Sequence, residues 1–320
     1  MAFPTIDPLR FAHLQTPIEE LPRLGKLLGI SELLIKRDDQ TGLAFGGNKT
    51  RKLEYLLGDD IARNARTLIT RGATQSNHCR QTAAAAARHG FDCVLVLTGS
   101  VPDKLTGNVL LDHLLGVNLV WTEGSDPQTV LEEMYHKLEE DDADPYLIPY
   151  GGSNYLGVLA YVEAMKELLS QRSDLDRIVF ASSSGGTQAG ICLGAQFYGF
   201  KGRITGISVD PPASEAQANI AEIANITADW LESNIRILEK DIEVVDAFLG
   251  AGYGMVSDLE RNAIQTFAKH EGILLDPVYT GRAAGGMLEL IKQGEIRKDE
   301  CVLFWHTGGT PALFAYSEEL

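Results

Sequence analysis

Short apolar or β-branched runs recur along this chain, and between them lie longer stretches whose apolar residues return every three or four positions. The runs predict strands at Leu33–Lys36, Thr67–Thr70, Cys93–Leu97, Asn118–Trp121, Tyr146–Ile148, Ile178–Ala181, Arg203–Val209 and Cys301–Trp305. The stretches predict helices at Arg51–Ala62, His78–His89, Gly107–Leu115, Thr129–Glu140, Leu156–Ser170, Thr187–Tyr198, Asp258–His270 and Ala283–Gln293. Strands alternating with helices point to an α/β protein with parallel-rich twisted sheets covered by helices on both faces. The alanine run Ala83–Ala87 suits a helix lying close against a sheet.

Strand–helix units from about residue 50 to about residue 160 form one block, and the segment from Ile178 onward forms another. Between them, Tyr150-Gly151-Gly152-Ser153-Asn154 fits either a hinge or a loop at a shared cleft. Folds of this kind bind ligands outside the carboxyl ends of their strands.

Composition narrows the partners. With 320 residues the chain is long enough for two domains, and 44% hydrophobic with 22% charged residues is ordinary for a globular protein. A net charge of −16 argues against nucleic acid or an anionic membrane as principal partner, since both are polyanions. A small anionic ligand needs only local backbone N–H groups and a few cations. Met1 to Arg10 lacks the basic start and apolar core of a secretory leader, and Cys79, Cys93, Cys192 and Cys301 show neither a C-x-x-C pair nor metal-ligand spacing. A reduced, cytoplasmic setting and no metal are expected.

Candidate chemistry collects at the turns. In Gly46-Gly47-Asn48-Lys49-Thr50-Arg51-Lys52 a primary amine follows two glycines, an arrangement that leaves backbone room for a bulky group. Alone it also fits a surface turn with a solvated amine. Ser182-Ser183-Ser184-Gly185-Gly186-Thr187 joins a strand to a helix, and fits both an N-cap and a phosphate site on free N–H groups. It is not a Walker A loop, and no Gly-x-Gly-x-x-Gly fingerprint is present, which counts against a nucleotide-binding reductase. Gly72-Ala73-Thr74-Gln75-Ser76-Asn77-His78 is a second strand-to-helix turn, suited to capping or to holding a carboxylate. His78 and Cys79 are adjacent on a helix, point in different directions and do not read as a nucleophile pair. With Tyr253, Tyr279 and the turn Thr307-Gly308-Gly309, these loops make Lys49 the best candidate for covalent attachment of pyridoxal 5'-phosphate.

The same stretches resemble a known family. Lys36-Arg37-Asp38-Asp39, Gly46 to Glu54, Gln75 to Thr82, Gly185 to Gly190, Asp276-Pro277-Val278-Tyr279-Thr280-Gly281 and His306 to Ala312 resemble the fold-type II pyridoxal-phosphate enzymes. Within them the chain resembles the branch of D-cysteine desulfhydrase, 1-aminocyclopropane-1-carboxylate (ACC) deaminase and L-cysteate sulfo-lyase, over essentially its whole length. The resemblance implies a tryptophan synthase β-like fold with a larger cofactor-binding domain (residues 1–50 and 162–320) and a smaller inserted domain (51–161). It also implies a homodimer. Lys49 would carry the cofactor as a Schiff base and later the Cα proton. Asn77 would bond the ring hydroxyl, Lys52 with Ser184, Gly185, Gly186 and Thr187 the phosphate, and Thr280 would face the pyridine nitrogen. Ser76, Asn77, His78 and Thr307 would line the substrate site, with Tyr253 and Tyr279 over the reacting atoms.

Thr280 is the informative departure, because ACC deaminases resemble Asp-Pro-Val-Tyr-Glu-Gly here. A hydroxyl in place of a carboxylate weakens the electron sink and favours β-elimination over ring opening. The expected substrate is therefore a small β-substituted amino acid, with D-cysteine giving pyruvate, sulfide and ammonia. L-Cysteate giving sulfite is the alternative, for which Gly107 to Leu111 and His113 resemble cysteate-cleaving relatives, and ACC comes third. A catalytically silent module is disfavoured by the retention of Lys49 with its polar neighbours.

Overall fold

The computed structural model describes residues 6–320, without the side chains of residues 60 and 61. Residues 1–5, the start of the stretch read above for a leader, lie outside the described residues. The chain builds two sheets. The larger has the order β1 (Ile18–Glu20), β2 (Glu32–Arg37), β10 (Cys301–His306), β7 (Arg177–Ser182), β8 (Arg203–Ser208) and β9 (Glu243–Val245), parallel throughout except at β1. The smaller is all-parallel, in the order β5 (Asn118–Trp121), β4 (Asp92–Thr98), β3 (Thr67–Ala73) and β6 (Pro145–Leu147). Its strands all fall between β2 and β7 in sequence.

Period-two alternation assigns the faces of the large sheet. Leu34, Ile178, Phe180, Leu303 and Trp305 pack against Tyr161, Met165 and Leu168 of α7 (Tyr155–Gln171) and Ile191 of α8 (Gly186–Tyr198). The intervening Leu33, Ile35, Val179, Val302 and Phe304 pack against Phe267 of α10 (Asp258–Glu271) and Met287 of α11 (Thr280–Gln293). In the small sheet, Leu68, Leu95 and Leu97 meet Ala83 to Ala86 of α4 (Asn77–His89), whose small side chains let the helix lie close. Ile69, Val94 and Val96 meet Leu131 of α6 (Pro127–Glu140) on the opposite face.

Every expected strand is present within a residue or three at each end. The structure adds β1 and β9, three-residue edge strands too short to carry a pattern. It also adds the helices α1 (Pro22–Leu28) and α9 (Ala213–Trp230). In α9 the buried positions Ala216, Ile220, Ala221, Ala224, Thr227 and Ala228 do fall at helical spacing, but four of the six are alanines, so the contrast with their neighbours is low. The predicted helix Arg51–Ala62 is two helices, α2 (Asn48–Leu56) and α3 (Asp60–Asn64). The break includes Gly58, where a Cβ would stand 2.7 Å from the Asp7 carbonyl oxygen. The earlier start of α2 matters more. Lys49 lies inside the helix, three residues before Lys52 and on the same side.

Candidate active site

The carboxyl ends of β3, β6, β7 and β10 face a common cleft. Its walls include Asn48, Lys49, Ser76, Asn77, His78, Tyr150, Gly151, Ser182 to Gly185, Thr187, Tyr253, Tyr279 and Thr307. Lys49, Ser76, Asn77, His78, Ser184, Gly185, Thr187, Tyr253, Tyr279 and Thr307 are all expected from the sequence, and one cleft brings them together. Among the described lining residues there is no aspartate or glutamate.

Helix α2 is anchored from behind. Arg51 Nε and Nη2 donate to the two carboxylate oxygens of Asp38 at 3.0 and 2.9 Å, and its Nη1 reaches Glu167 at 2.9 Å. Tyr161 donates to the same Asp38 at 2.6 Å, and Lys36 to Glu167 at 2.6 Å. Burial pushes the Asp38 carboxyl up, but Arg51 outweighs it and holds the group at about 2. This buried network fixes the face that Lys49 presents.

The amines of Lys49 and Lys52 stand close to one another, Lys52 fully buried and Lys49 half-buried. Burial brings Lys49 down to about 8; burial and the Lys49 charge bring Lys52 well below its ordinary range. Lys52 Nζ also donates to the Gly151 carbonyl at 3.1 Å and to Ser153 Oγ at 3.3 Å. Ser153 Oγ lies 2.9 Å from Ser184 Oγ and accepts from the Gly186 N–H, the first turn of α8, at 3.3 Å. A Cβ on Gly186 would come within 2.8 Å of Lys52 Nζ and 2.6 Å of Ser153 Oγ, so glycine lets the helix start approach both groups as they stand. Two amines, two hydroxyls and a helix N-terminus, with no carboxylate among them, form a donor-rich corner that suits an anion.

The glycines before Lys49 serve a different purpose from the one expected. A Cβ on Gly46 would meet the Asp39 carbonyl oxygen at 2.2 Å, and one on Gly47 would meet Gln81 Nε2 at 2.7 Å. Their space is filled by protein, not left for a ligand.

Ser76 caps α4, its Oγ accepting from Cys79 N–H at 3.1 Å, which leaves its hydroxyl proton available to the cleft beside Asn77 and His78. His78 is neutral: burial, and then Lys49 and Lys52, depress its pKa well below 6.5. Thr70 donates its only hydroxyl proton to the Ile148 carbonyl at 2.8 Å, so His78 Nε2–H must donate to Thr70 Oγ1 across 2.9 Å. That tautomer leaves His78 Nδ1 a buried acceptor without a partner among the described residues. The Ser182 hydroxyl is likewise buried and unpaired among the described residues. Cys79 is fully buried with its thiol pushed up by burial, as befits a packed helix residue.

Tyr253 and Tyr279 hydroxyls lie 2.6 Å apart over the cleft, and burial raises both phenols, so neither ionises near neutrality. Thr280 is buried behind Tyr279 and does not line the cleft. Its hydroxyl donates to Asp276 Oδ1 at 2.7 Å and accepts from the Asp276 N–H at 2.8 Å, so it retains one lone pair and no proton to offer. His113 is exposed on α5 (Gly107–Leu114) and away from the cleft. The sequence carries no signal for Asn48, whose amide bonds Thr187 at 3.0 Å, and shows Ser153 only as part of a loop.

A family model for pyridoxal-phosphate-dependent enzymes matches residues 9–308. The chain belongs to this family. A crystal structure of an ACC deaminase homologue is 36% identical, with a TM-score of 0.89, covering 99% of this chain and 95% of that one. Threonine deaminase isoform 2 from Solanum lycopersicum is 17% identical (TM-score 0.69, 96% and 82% covered), and a pyridoxal 5'-phosphate-dependent aspartate racemase 18% identical (TM-score 0.67, 92% and 90% covered). The last two share the fold. The donor set fits the cofactor of this pyridoxal-phosphate enzyme: neighbouring amines without a counter-ion suit an anionic group, and His78 Nδ1 and Ser182 Oγ beside them are buried without a partner among the described residues.

Proposed function

We propose that this enzyme catalyses β-elimination on a small β-substituted amino acid, with D-cysteine its preferred substrate. The observation that carries the reading is the lining of the cleft. Two tyrosine hydroxyls lie over the space beside Lys49, and no carboxylate lines the wall from which ring-opening chemistry would be driven. The expectation that Thr280 leaves its surroundings without negative charge is amended, because Asp276 stands one hydrogen bond behind that hydroxyl and supplies charge to it.

In this reading Lys52, Ser153, Ser184 and the first N–H groups of α8 hold the phosphate, and Asn77 donates to the ring hydroxyl. The bound cofactor supplies an electron sink for the pair left at Cα. Ser76 and the amides opening α4 take the substrate carboxylate. Lys49 Nζ withdraws the Cα proton. The tyrosine pair delivers a proton to sulfur as it leaves Cβ as sulfide, and the released aminoacrylate hydrolyses to pyruvate and ammonia. Exposure of His113 removes one support for L-cysteate, which stays the runner-up. Ring opening of ACC is a second reading, supported by the 36% identity to an ACC deaminase homologue.

The test is pyruvate or 2-oxobutyrate release from D-cysteine, L-cysteine, L-cysteate, D-serine and ACC at equal concentration. D-Cysteine should lead. ACC as best substrate would overturn the reading; L-cysteate in the lead would keep the elimination and change the leaving group.

A further inference from the structure

Behind Asn77 runs a line of hydrogen bonds whose direction admits only one solution. Arg80 is fully buried on α4, and its Nε lies 2.8 Å from Asn108 Oδ1 on α5. Guanidinium is a donor at every nitrogen and accepts nothing, so the amide end of Asn108 facing it must be the oxygen. The other end is then the NH2 group, which donates to the Gln75 carbonyl and to Asn77 Oδ1, each at 2.8 Å. Asn77 accepts through its oxygen and so turns its own NH2 group away from Asn108. That nitrogen lies against Gly309, where a Cβ would stand 2.6 Å from it, and no described residue accepts from it. Asn108 itself is fully buried and does not line the cleft.

We infer that Arg80 and Asn108 are positioning residues that fix Asn77 as a hydrogen-bond donor toward the cofactor's ring oxygen. An asparagine free to rotate could present either end, and the carbonyl end would repel an anionic ring oxygen. The inference rests on the proposed placement of that oxygen beside Asn77. It explains why an arginine is buried here without an ion pair: its Nη atoms are spent on the Ala44 and Gly46 carbonyls, which leaves Nε to set the polarity of the line.

The test is titration of the full-length protein, stripped of cofactor, with pyridoxal 5'-phosphate and with its 3-deoxy analogue, which lacks the ring hydroxyl. Asn108→Asp keeps the shape but replaces the donor by an acceptor, so Asn77 must turn its oxygen to the cleft. Pyridoxal phosphate should then bind at least tenfold more weakly, with affinity for the analogue within about twofold of wild type. Asn108→Ala, which leaves Asn77 free to turn, should show the same selectivity at smaller amplitude, and serves if the first variant does not fold. Equal loss for both ligands, or no loss for either, would overturn the inference. A wild-type protein that bound both ligands equally would instead displace the ring oxygen from Asn77, and with it the proposed cofactor placement.

Discussion

The amines of Lys49 and Lys52 stand together at the head of α2, and no carboxylate among the described residues compensates either. An amine held at about 8 has, near pH 7.5, a reactive unprotonated fraction larger by roughly two orders of magnitude than an ordinary lysine at 10.5. Attachment of cofactor to the stripped enzyme should therefore accelerate as pH rises and level off above about 8. Lys49→Ala should abolish the visible band of lysine-bound cofactor and the elimination activity. Borohydride reduction followed by peptide mapping checks the assignment, and a label on any other lysine would be against it.

Lys52 should show opposite signs in the stripped and loaded enzyme. Its buried amine has an expensive neighbour until an anion arrives, so Lys52→Met should raise the melting temperature of the cofactor-free protein. The same substitution removes charge-assisted bonds to the phosphate and should weaken cofactor binding by about 10- to 100-fold, as losing roughly 1.5–3 kcal/mol implies. Calorimetry with and without cofactor reads both; a lower melting temperature in the stripped variant would contradict the argument.

How far the sequence carried depended on whether a signal was local. Turns at strand ends announce themselves by composition, so Ser76, Asn77, Ser184, Gly185, Thr187 and Thr307 stand out as candidates, although the local pattern fits helix capping as well and the resemblance is what assigns them roles. Contacts between distant segments leave no such mark. Asn108 sits one bond behind Asn77 across 31 positions, and Asp38 braces Arg51 across 13; nothing in either local pattern names its partner. The Gly46-Gly47 pair suggests room for a bulky group, whereas its space is taken by Asp39 and Gln81 and both residues turn through positive φ. Resemblance sets Thr280 at the ring, yet its proton belongs to Asp276, a bond that no family motif announces.

The bond between Thr280 and Asp276 has a consequence for substitution. Thr280→Glu would set a second carboxylate against a buried Asp276, and two such groups cannot both ionise cheaply. The variant should lose stability as pH rises from about 4.5 to about 7, by on the order of 2 kcal/mol. Urea unfolding at the two pH values measures it. A pH-independent loss would mean the new side chain is merely badly packed.

Asp112 predicts the opposite of ordinary acid denaturation. Both of its oxygens are buried without a hydrogen-bond partner among the described residues, and burial, against the nearby Arg80, raises it to about 7 from 3.8. The folded protein thus keeps a proton that the unfolded chain releases, so this group's contribution falls as pH rises from about 4 to 7. Asp112→Asn should stabilise the protein at pH 8 by about 2–4 kcal/mol, shrinking toward zero below pH 5. Equal stabilisation at both pH values would place the effect in packing instead.

The tyrosine pair separates proton delivery from simple positioning. Tyr253 and Tyr279 meet at 2.6 Å with rings edge-on at 76°, so removing either hydroxyl leaves the other without its partner. If the pair protonates sulfur as it departs, the demand depends on the leaving group. Thiolate from D-cysteine needs that proton, whereas chloride from β-chloro-D-alanine does not. Tyr279→Phe should lower kcat for D-cysteine by roughly 10²- to 10⁴-fold, the usual worth of general acid catalysis, and for β-chloro-D-alanine by less than about tenfold. Because burial raises both phenols, neither should add an alkaline limb to the kcat profile between pH 6 and 9. Steady-state kinetics on the two substrates decide the matter: parallel losses would make the tyrosines walls of the cleft, and a selective loss makes them its acid.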